Sequence, residues 1–224
     1  MVQETREVQA QGIRPSAIDP PEVEAWLWGD FSGDYAWDVG SNCGQSVVHL
    51  AQECFRFTAL EPCEASYEYY KAHFASPIQQ IAVSDHDGEV QLAFPAREQK
   101  ETGQLVTPGL RGMEWSPEDW STAETVVVPC RSVDSLVRDL GTPDFIKVDT
   151  EGHEVYVLVG AKQLIRGGKT SFLIEFHSPG NQALCETILE VAGYRTEVVR
   201  HPYYEVGSAM WLQHGWLKGF SPAD

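Results

Sequence analysis

From Gly33 onward, short and nearly continuous apolar runs alternate with longer stretches in which apolar residues recur with a helical period. "YAWDV" reads as a first strand and "SVVHLAQEC" as its helix, because Val47, Leu50, Ala51 and Cys54 fall at i, i+3, i+4 and i+7. "RFTALEP" is a second strand, ended by Pro62, and "EASYEYYKAHF" a second helix. "IQQIAVSD" is a third strand, with "GEVQLAF" an additional one after the turn residues Asp87 and Gly88. "ETVVVPC", a helix near "SVDSLVRDL" and the strand "DFIKVD" follow. A helix from about Glu154 to Ile165, the strand "SFLIEFH", and the helix "NQALCETILEVA" stopped by Gly193 come next. "RTEVVRH" and "AMWLQHG" close the chain as two strands. This alternation predicts an α/β fold, a mainly parallel sheet with helices on both faces.

Two segments break the rhythm. Residues 1–32 form an N-terminal segment whose first part is polar. Its "EVEAWLWGD" is a short helix opened by Pro20 and Pro21, and Trp26 and Trp28 cover the core edge. A single domain then spans 33–224. Around 95–125 the periodicity fails in an irregular insertion holding Gly103, Gly109, Gly112, Pro108, Pro117, Trp115 and Trp120; such a stretch in a compact domain is usually functional or mobile.

Composition narrows the class. The 33 acidic and 16 basic residues leave a formal charge of -17, which disfavours nucleic acid and anionic lipid as partners. The five cysteines are scattered, with no C-x-x-C, and are expected as reduced thiols in a cytoplasmic protein. No apolar run approaches a membrane span or a secretory h-region.

The chemistry begins where the first strand ends. "DVGSNCG" places Asp38, Gly40, Ser41, Asn42 and Gly44 at a strand-to-helix turn, where backbone amides can approach a ligand. The central glycine of a dinucleotide fingerprint is missing, and Asp38 would repel a pyrophosphate. An amine-bearing sulfonium suits that carboxylate better than NAD does. Glu61 ends the second strand, where an acidic side chain can accept hydrogen bonds from both ribose hydroxyls. Asp85, after the third strand, could accept from an exocyclic adenine amine. Taken singly, Asp38 reads equally as a helix cap or turn residue and Glu61 as a solvated strand end. Their position at successive strand ends of one βαβ unit favours a binding role.

"WDVGSNCGQS", "ALEP", "IAVSDHDGEV", "VPCRSVDSLVRDLGTPDFIKVDTEGHEVYVLVGA" and "LIEFH" together resemble the FkbM-like family of S-adenosylmethionine-dependent methyltransferases, over about residues 34–200. "DFIKVDTEGHE" is the most specific piece. The resemblance implies a Rossmann-like class I methyltransferase sheet of order 3-2-1-4-5-7-6, with strand 7 antiparallel. It also implies S-adenosyl-L-methionine as cofactor and methyl transfer to a hydroxyl, commonly on a sugar, polyketide or other natural product.

On the acceptor side, Lys147 and Asp149 are two apart on one strand and share a face, as do Glu175 and His177 on the next. One arrangement pairs Lys147 with Glu175 and leaves Asp149 and His177 at the mouth of the sheet. His177 is then the natural base for an alcohol. Asp149 orients it or takes the role itself, and Glu151 is an alternative on the same loop. His177 reads equally as a satisfied strand-end histidine, and His153 as a cap or surface residue of the following helix. Asp149, Glu151, His153, Glu154 and His177 also read as oxygen and nitrogen ligands for a divalent metal, without a spacing that fixes a geometry. Trp115, Trp120, Tyr203, Tyr204, Trp211 and Trp216 suit a wall over an apolar or sugar-bearing acceptor; core plugs or a homo-oligomer contact would account for them as well. The leading expectation is an O-methyltransferase for a small hydroxyl acceptor in secondary metabolism. A methyltransferase-like binding module without turnover is the alternative, and a nucleotide-linked oxidoreductase ranks last.

Overall fold

The computed structural model describes residues 27–94, 104–105, 124–200 and 204–223. Its main sheet has seven strands in the order β10-β11-β9-β8-β1-β2-β3. These are β1 (Gly33–Val39), β2 (Cys54–Leu60), β3 (Ile78–Gln79), β8 (Phe145–Val148), β9 (Ser171–Phe176), β10 (Arg195–Arg200) and β11 (Gly215–Phe220). Counted within this sheet alone, the order is 3-2-1-4-5-7-6. The last-entered strand, β11, runs antiparallel to both β9 and β10 while the others run parallel. The order and the antiparallel strand agree with the expected class I methyltransferase sheet.

Strand periodicity sorts the core into two layers. Tyr35, Trp37 and Val39 of β1 point to one face with Ile146, Val148, Phe172, Ile174 and Phe176. There they meet the helices α3 (Val133–Leu140), α4 (Glu154–Val159), α5 (Lys162–Gly167) and α6 (Pro179–Val191). Ala36, Phe145 and Leu173 point the other way, onto α1 (Val47–Glu53), α2 (Glu64–His73) and the Leu27, Trp28 and Phe31 side chains. The end of the N-terminal segment is thus part of the core. Trp26 and the start of its predicted helix lie outside the described residues.

Three local expectations change. "IQQIAVSD" is two strands: β3 stays in the main sheet, whereas β4 (Ala82–Ser84) joins a four-stranded sheet of order β4-β7-β5-β6. That sheet contains β5 (Gly88–Phe94), β6 (Gln104–Leu105) and β7 (Glu124–Ser132). The chain turns between β3 and β4 because the Ile81 amide is drawn back onto the carbonyls of Glu61 and Gln79. A sequence window shows one apolar run there and cannot see the change of partner. Most of the irregular insertion lies outside the described residues, as do Trp115 and Trp120.

The helix expected over 154–165 is broken into α4 and α5. Asp134 caps the second piece by accepting from the amides of Gln163 and Leu164. "AMWLQHG", expected as a strand, is instead a short helix, α7 (Ala209–Gln213), capped by the Ser208 hydroxyl, and the strand starts at Gly215.

Candidate functional site

Alternation along the strands decides what gathers at the carboxyl end of the sheet. Asp38 of β1 lies directly opposite Lys147 of β8 in the parallel register. Both occupy the face that Ala36 and Phe145 define, so the ammonium stands 3.3 Å from the Asp38 carboxylate. Two residues further on, Asp149 shares that face, and its Oδ2 is 3.2 Å from the same ammonium. Lys147 also donates to the Gly40 carbonyl at 3.1 Å. One buried cation therefore ties the first loop to the end of β8. The expected Lys147–Glu175 pair gives way to this arrangement, because Lys147 sits opposite Leu173 and Glu175 lies beyond the end of the β8 ladder. Burial opposes the charge on Lys147, but Asp149, Asp38 and Glu175 outweigh it and raise its pKa. Burial likewise raises that of Asp38, against the pull of Lys147.

The first loop turns under Gly40, whose φ of +75° is left-handed. A Cβ there would lie 1.7 Å from the Asp149 carbonyl oxygen, so only glycine lets β1 and β8 approach so closely. Asn42, also left-handed, gives its backbone amide to Glu61 Oε2, and the Cys63 amide goes to Oε1, both at 2.8 Å. Burial nevertheless raises Glu61 to a pKa of about 7, the two amides working against it.

A partly open cavity lies beside this loop. Gly40, Asn42, Gln45, Glu61 and Ser66 line one part, and Asp149, Thr150 and Glu151 another. Ile81, Ala82, Val83 and Leu92 supply an apolar wall, the last three from the second sheet. Of the residues singled out in the sequence, Gly40, Asn42, Glu61, Asp149 and Glu151 reach this cavity. Asp38 and Ser41 are buried behind it, and Gly44 packs against Phe74. The Asp85 carboxylate is engaged by His86 at 2.7 Å and Ser84 at 3.2 Å. Gln45, Ser66 and the apolar wall were not foreseen. Ser66 gives no signal in the sequence, since it reads as one more residue of an amphipathic helix.

The "DTEGHE" loop folds around Glu154, which is wholly buried. Its Oε1 accepts from the Thr150 and Gly152 amides, both at 3.0 Å, and from the Thr150 hydroxyl at 3.2 Å. The same oxygen lies 3.2 Å from His177 Nδ1. The other ring nitrogen, Nε2, faces Asp149 Oδ1 at 3.7 Å and Glu151 Oε2 at 3.5 Å. Burial disfavours charge on His177, but Glu151, Glu154 and Glu175 outweigh it and hold its pKa well above the usual value. Glu154 is held low, the His177 charge overcoming the effect of burial. Glu151 reaches the cluster from a left-handed backbone at φ 53°, a conformation uncommon outside glycine. His153 is not on the surface: it is buried, bonded to Ser84 at 3.0 Å and stacked on Tyr156, and burial lowers its pKa to about 4. It therefore leaves the group of metal-type ligands, and the atoms of Asp149, Glu151 and His177 remain within 4.8 Å of one another.

Around His177 stand residues that no motif announces. His214 packs edge-on at 5.7 Å, with Tyr204 behind it at 5.9 Å. Arg200 lies over Trp211 and bonds the Leu212 carbonyl, fastening α7 to β10. Trp216 is a core plug, and Tyr203 lies outside the described residues. No helix among the described residues is long and apolar enough to cross a membrane, and the five cysteines form no disulfide.

Residues 38–196 match the family model of the Methyltransferase FkbM domain. No curated protein matches the sequence. The crystal structure of methyltransferase FkbM from Methylobacillus flagellatus is similar with a TM-score of 0.54 at 14% identity, covering 97% of this chain and 58% of that one. The chain thus spans a little over half of that relative. Precorrin-6y C5,15-methyltransferase from Geobacter metallireducens gives a TM-score of 0.52 at 11% identity, covering 94% of this chain and 92% of that one. The C-terminal domain of precorrin-6Y C5,15-methyltransferase from Rhodobacter capsulatus gives 0.50 at 12%, covering 93% and 95%. At these identities the likeness carries the fold.

Proposed function

The chain belongs to the Methyltransferase FkbM domain family, and from that premise we propose an S-adenosyl-L-methionine-dependent O-methyltransferase acting on a hydroxyl of a small natural-product or sugar-type acceptor. The carrying observation is that one cavity runs from the Gly40–Gln45 loop and Glu61 to Asp149 and Glu151. A nucleoside site and a proton-accepting cluster are thereby neighbours.

The residues present suit the donor. Glu61 is a buried carboxylate at the cavity wall with both oxygens on backbone amides and lone pairs to spare for a ribose diol. Ile81, Ala82, Val83 and Leu92 suit the flat face of an adenine. Gly40 and Asn42 face the methionine portion, and Asp38 acts at one remove by holding Lys147 against the Gly40 carbonyl. When bound, the donor supplies an activated methyl group, so that a new O–C bond forms as the S–C bond breaks and the hydroxyl proton is released.

The chain's own work is then to align and to deprotonate. Positioning of the reacting atoms is worth about 7–11 kcal/mol in favourable cases. Asp149 has its Oδ2 occupied by Lys147, while Oδ1 makes no hydrogen bond among the described residues. That oxygen orients His177 or takes the hydroxyl proton directly, and Glu151 stands next to both. A net charge of -17 supports a small acceptor over nucleic acid, and five thiols without a disulfide suit a reducing, cytoplasmic setting.

Calorimetry with S-adenosylhomocysteine tests the cofactor: saturable binding is expected, lost or strongly weakened by Glu61→Ala, and no binding, or binding unchanged in that variant, overturns it. A product scan against hydroxylated acceptors tests the chemistry. His177→Ala and Asp149→Asn are expected to lower turnover about 10²–10⁴-fold while S-adenosylhomocysteine binding persists.

A further inference from the structure

The three-residue cluster at the acceptor end is built more elaborately than a proton acceptor requires. Glu154 is wholly buried, and with Oε1 accepting from two amides and a hydroxyl it serves His177 as an acceptor only. His177 therefore donates from Nδ1, at 3.2 Å, which in the neutral ring fixes the tautomer and leaves Nε2 as the ligating atom. His177 itself is 5% exposed, so this nitrogen cannot turn to bulk water.

What Nε2 then meets is two carboxylate oxygens, Asp149 Oδ1 at 3.7 Å and Glu151 Oε2 at 3.5 Å. In the charged ring the Nε2 proton lies between the nitrogen and these oxygens; in the neutral ring a lone pair faces them, and a cation set among the three atoms takes the proton's place. The spacing is long for a hydrogen bond. It is close to that of neighbouring ligands on one ion, since bonds of about 2.0–2.2 Å set ligands about 3.0–3.5 Å apart. Asp149 Oδ1 points the same way: it is buried and without a hydrogen bond among the described residues, although the other oxygen of that carboxylate is held by Lys147. A carboxylate behind the distal nitrogen of an imidazole is the usual support of a metal-ligating histidine.

We propose that Asp149 Oδ1, Glu151 Oε2 and His177 Nε2 together bind a single divalent cation of the Mn²⁺ class beside the methyl-transfer site, with positions left open for the acceptor. Mixed imidazole and carboxylate ligation favours a first-row transition ion over Ca²⁺ or Mg²⁺, which prefer all-oxygen sets. Resting on the methyltransferase reading, the cation's use is to lower the pKa of a coordinated acceptor hydroxyl. The proton leaves by way of the Glu151 carboxylate, whose side chain is partly exposed, to solvent; the alkoxide oxygen takes the methyl carbon, and the thioether departs.

Titration of the full chain, stripped with EDTA, with MnCl₂ is the test, read by loss of the free-ion electron paramagnetic resonance signal. One saturable ion per chain is expected, and Asp149→Asn, Glu151→Gln and His177→Gln should each weaken it at least about tenfold. Glu151 lies on a partly exposed loop, so its variant reports on the site even where His177→Gln fails to fold. Absence of a saturable site, or one that Glu151→Gln and Asp149→Asn leave unchanged, overturns the proposal. Calorimetry with S-adenosylhomocysteine on the stripped protein reads the methyltransferase assignment separately, because Glu61 and the first loop do not contact the cation. Binding there without Mn²⁺ binding would remove the metal and keep the enzyme.

Discussion

At the scale of single residues, the site depends on carboxylates held where water cannot compensate them. Glu61 is the clearest case, with a pKa raised by burial from 4.5 to about 7. Ribose hydroxyls donate hydrogen bonds, so the ionised form is the one that binds. Affinity for S-adenosylhomocysteine should therefore rise with pH and level off above about 7. At pH 6 it should be roughly tenfold weaker than at pH 8, since one unit below the pKa leaves about a tenth of the group ionised. The same shift acts on the ligand-free fold in the opposite direction. A carboxyl whose folded pKa is raised stabilises the fold below 4.5, and that contribution is lost as pH rises through about 7. Glu61→Gln should flatten both profiles, as measured by calorimetry and by urea denaturation between pH 5 and 8.5. A binding profile that stays steep in the variant would assign the titration to another group.

At the scale of elements, the joint between β1 and β8 carries the architecture of the site. Lys147 pairs with Asp38 and Asp149 and bonds the Gly40 carbonyl, so Lys147→Met would leave Asp38 wholly buried with no opposing charge. Removing one partner of a buried pair costs about 3–5 kcal/mol, and chemical denaturation should show a loss of that order. Double substitution with Asp38→Asn should recover part of it. Gly40→Ala tests the same joint by shape: a Cβ 1.7 Å from a backbone oxygen cannot be relieved by a rotamer change. Separation of the two strand ends, with loss of S-adenosylhomocysteine binding, is the expected result. The lysine was visible in "IKVD", but its partner was misassigned. Spacing of two gave the face correctly, whereas the pairing depends on how far the β8–β9 ladder extends, which only the register decides.

For the molecule as a whole, the cavity is lined by residues of both sheets, so a ligand there contacts both. Binding to the folded state alone should stabilise it by about 2.7 kcal/mol at a hundredfold excess over Kd. A higher Tm with S-adenosylhomocysteine, absent in Glu61→Ala, is the corresponding observation. The main sheet was legible from the chain because its central strands β1, β8 and β9 are largely buried on both faces and read as apolar runs between turn signals. The second sheet was not legible as such. β5 and β7 showed the same runs, but nothing in a local window says that Ala82–Ser84 leaves β3 to pair with β7. The final helix was missed for a related reason: "AMWLQ" is apolar enough for a strand, and Ser208 is a cap only once its neighbours are helical.

By itself, the sequence determined the α/β alternation, the loop after β1, the carboxylate at the end of β2 and the family to which "DFIKVDTEGHE" points. The first three follow from local period and residue chemistry, and the family from the resemblance of the motifs. The tertiary structure decided which charges meet: that Lys147 serves Asp38 rather than Glu175, that Glu154 is buried behind His177, and that His153 turns away while Glu151 turns in. Those outcomes depend on strand register and on the left-handed turn at Glu151, which sum contacts between residues far apart in the chain and have no counterpart in its local pattern.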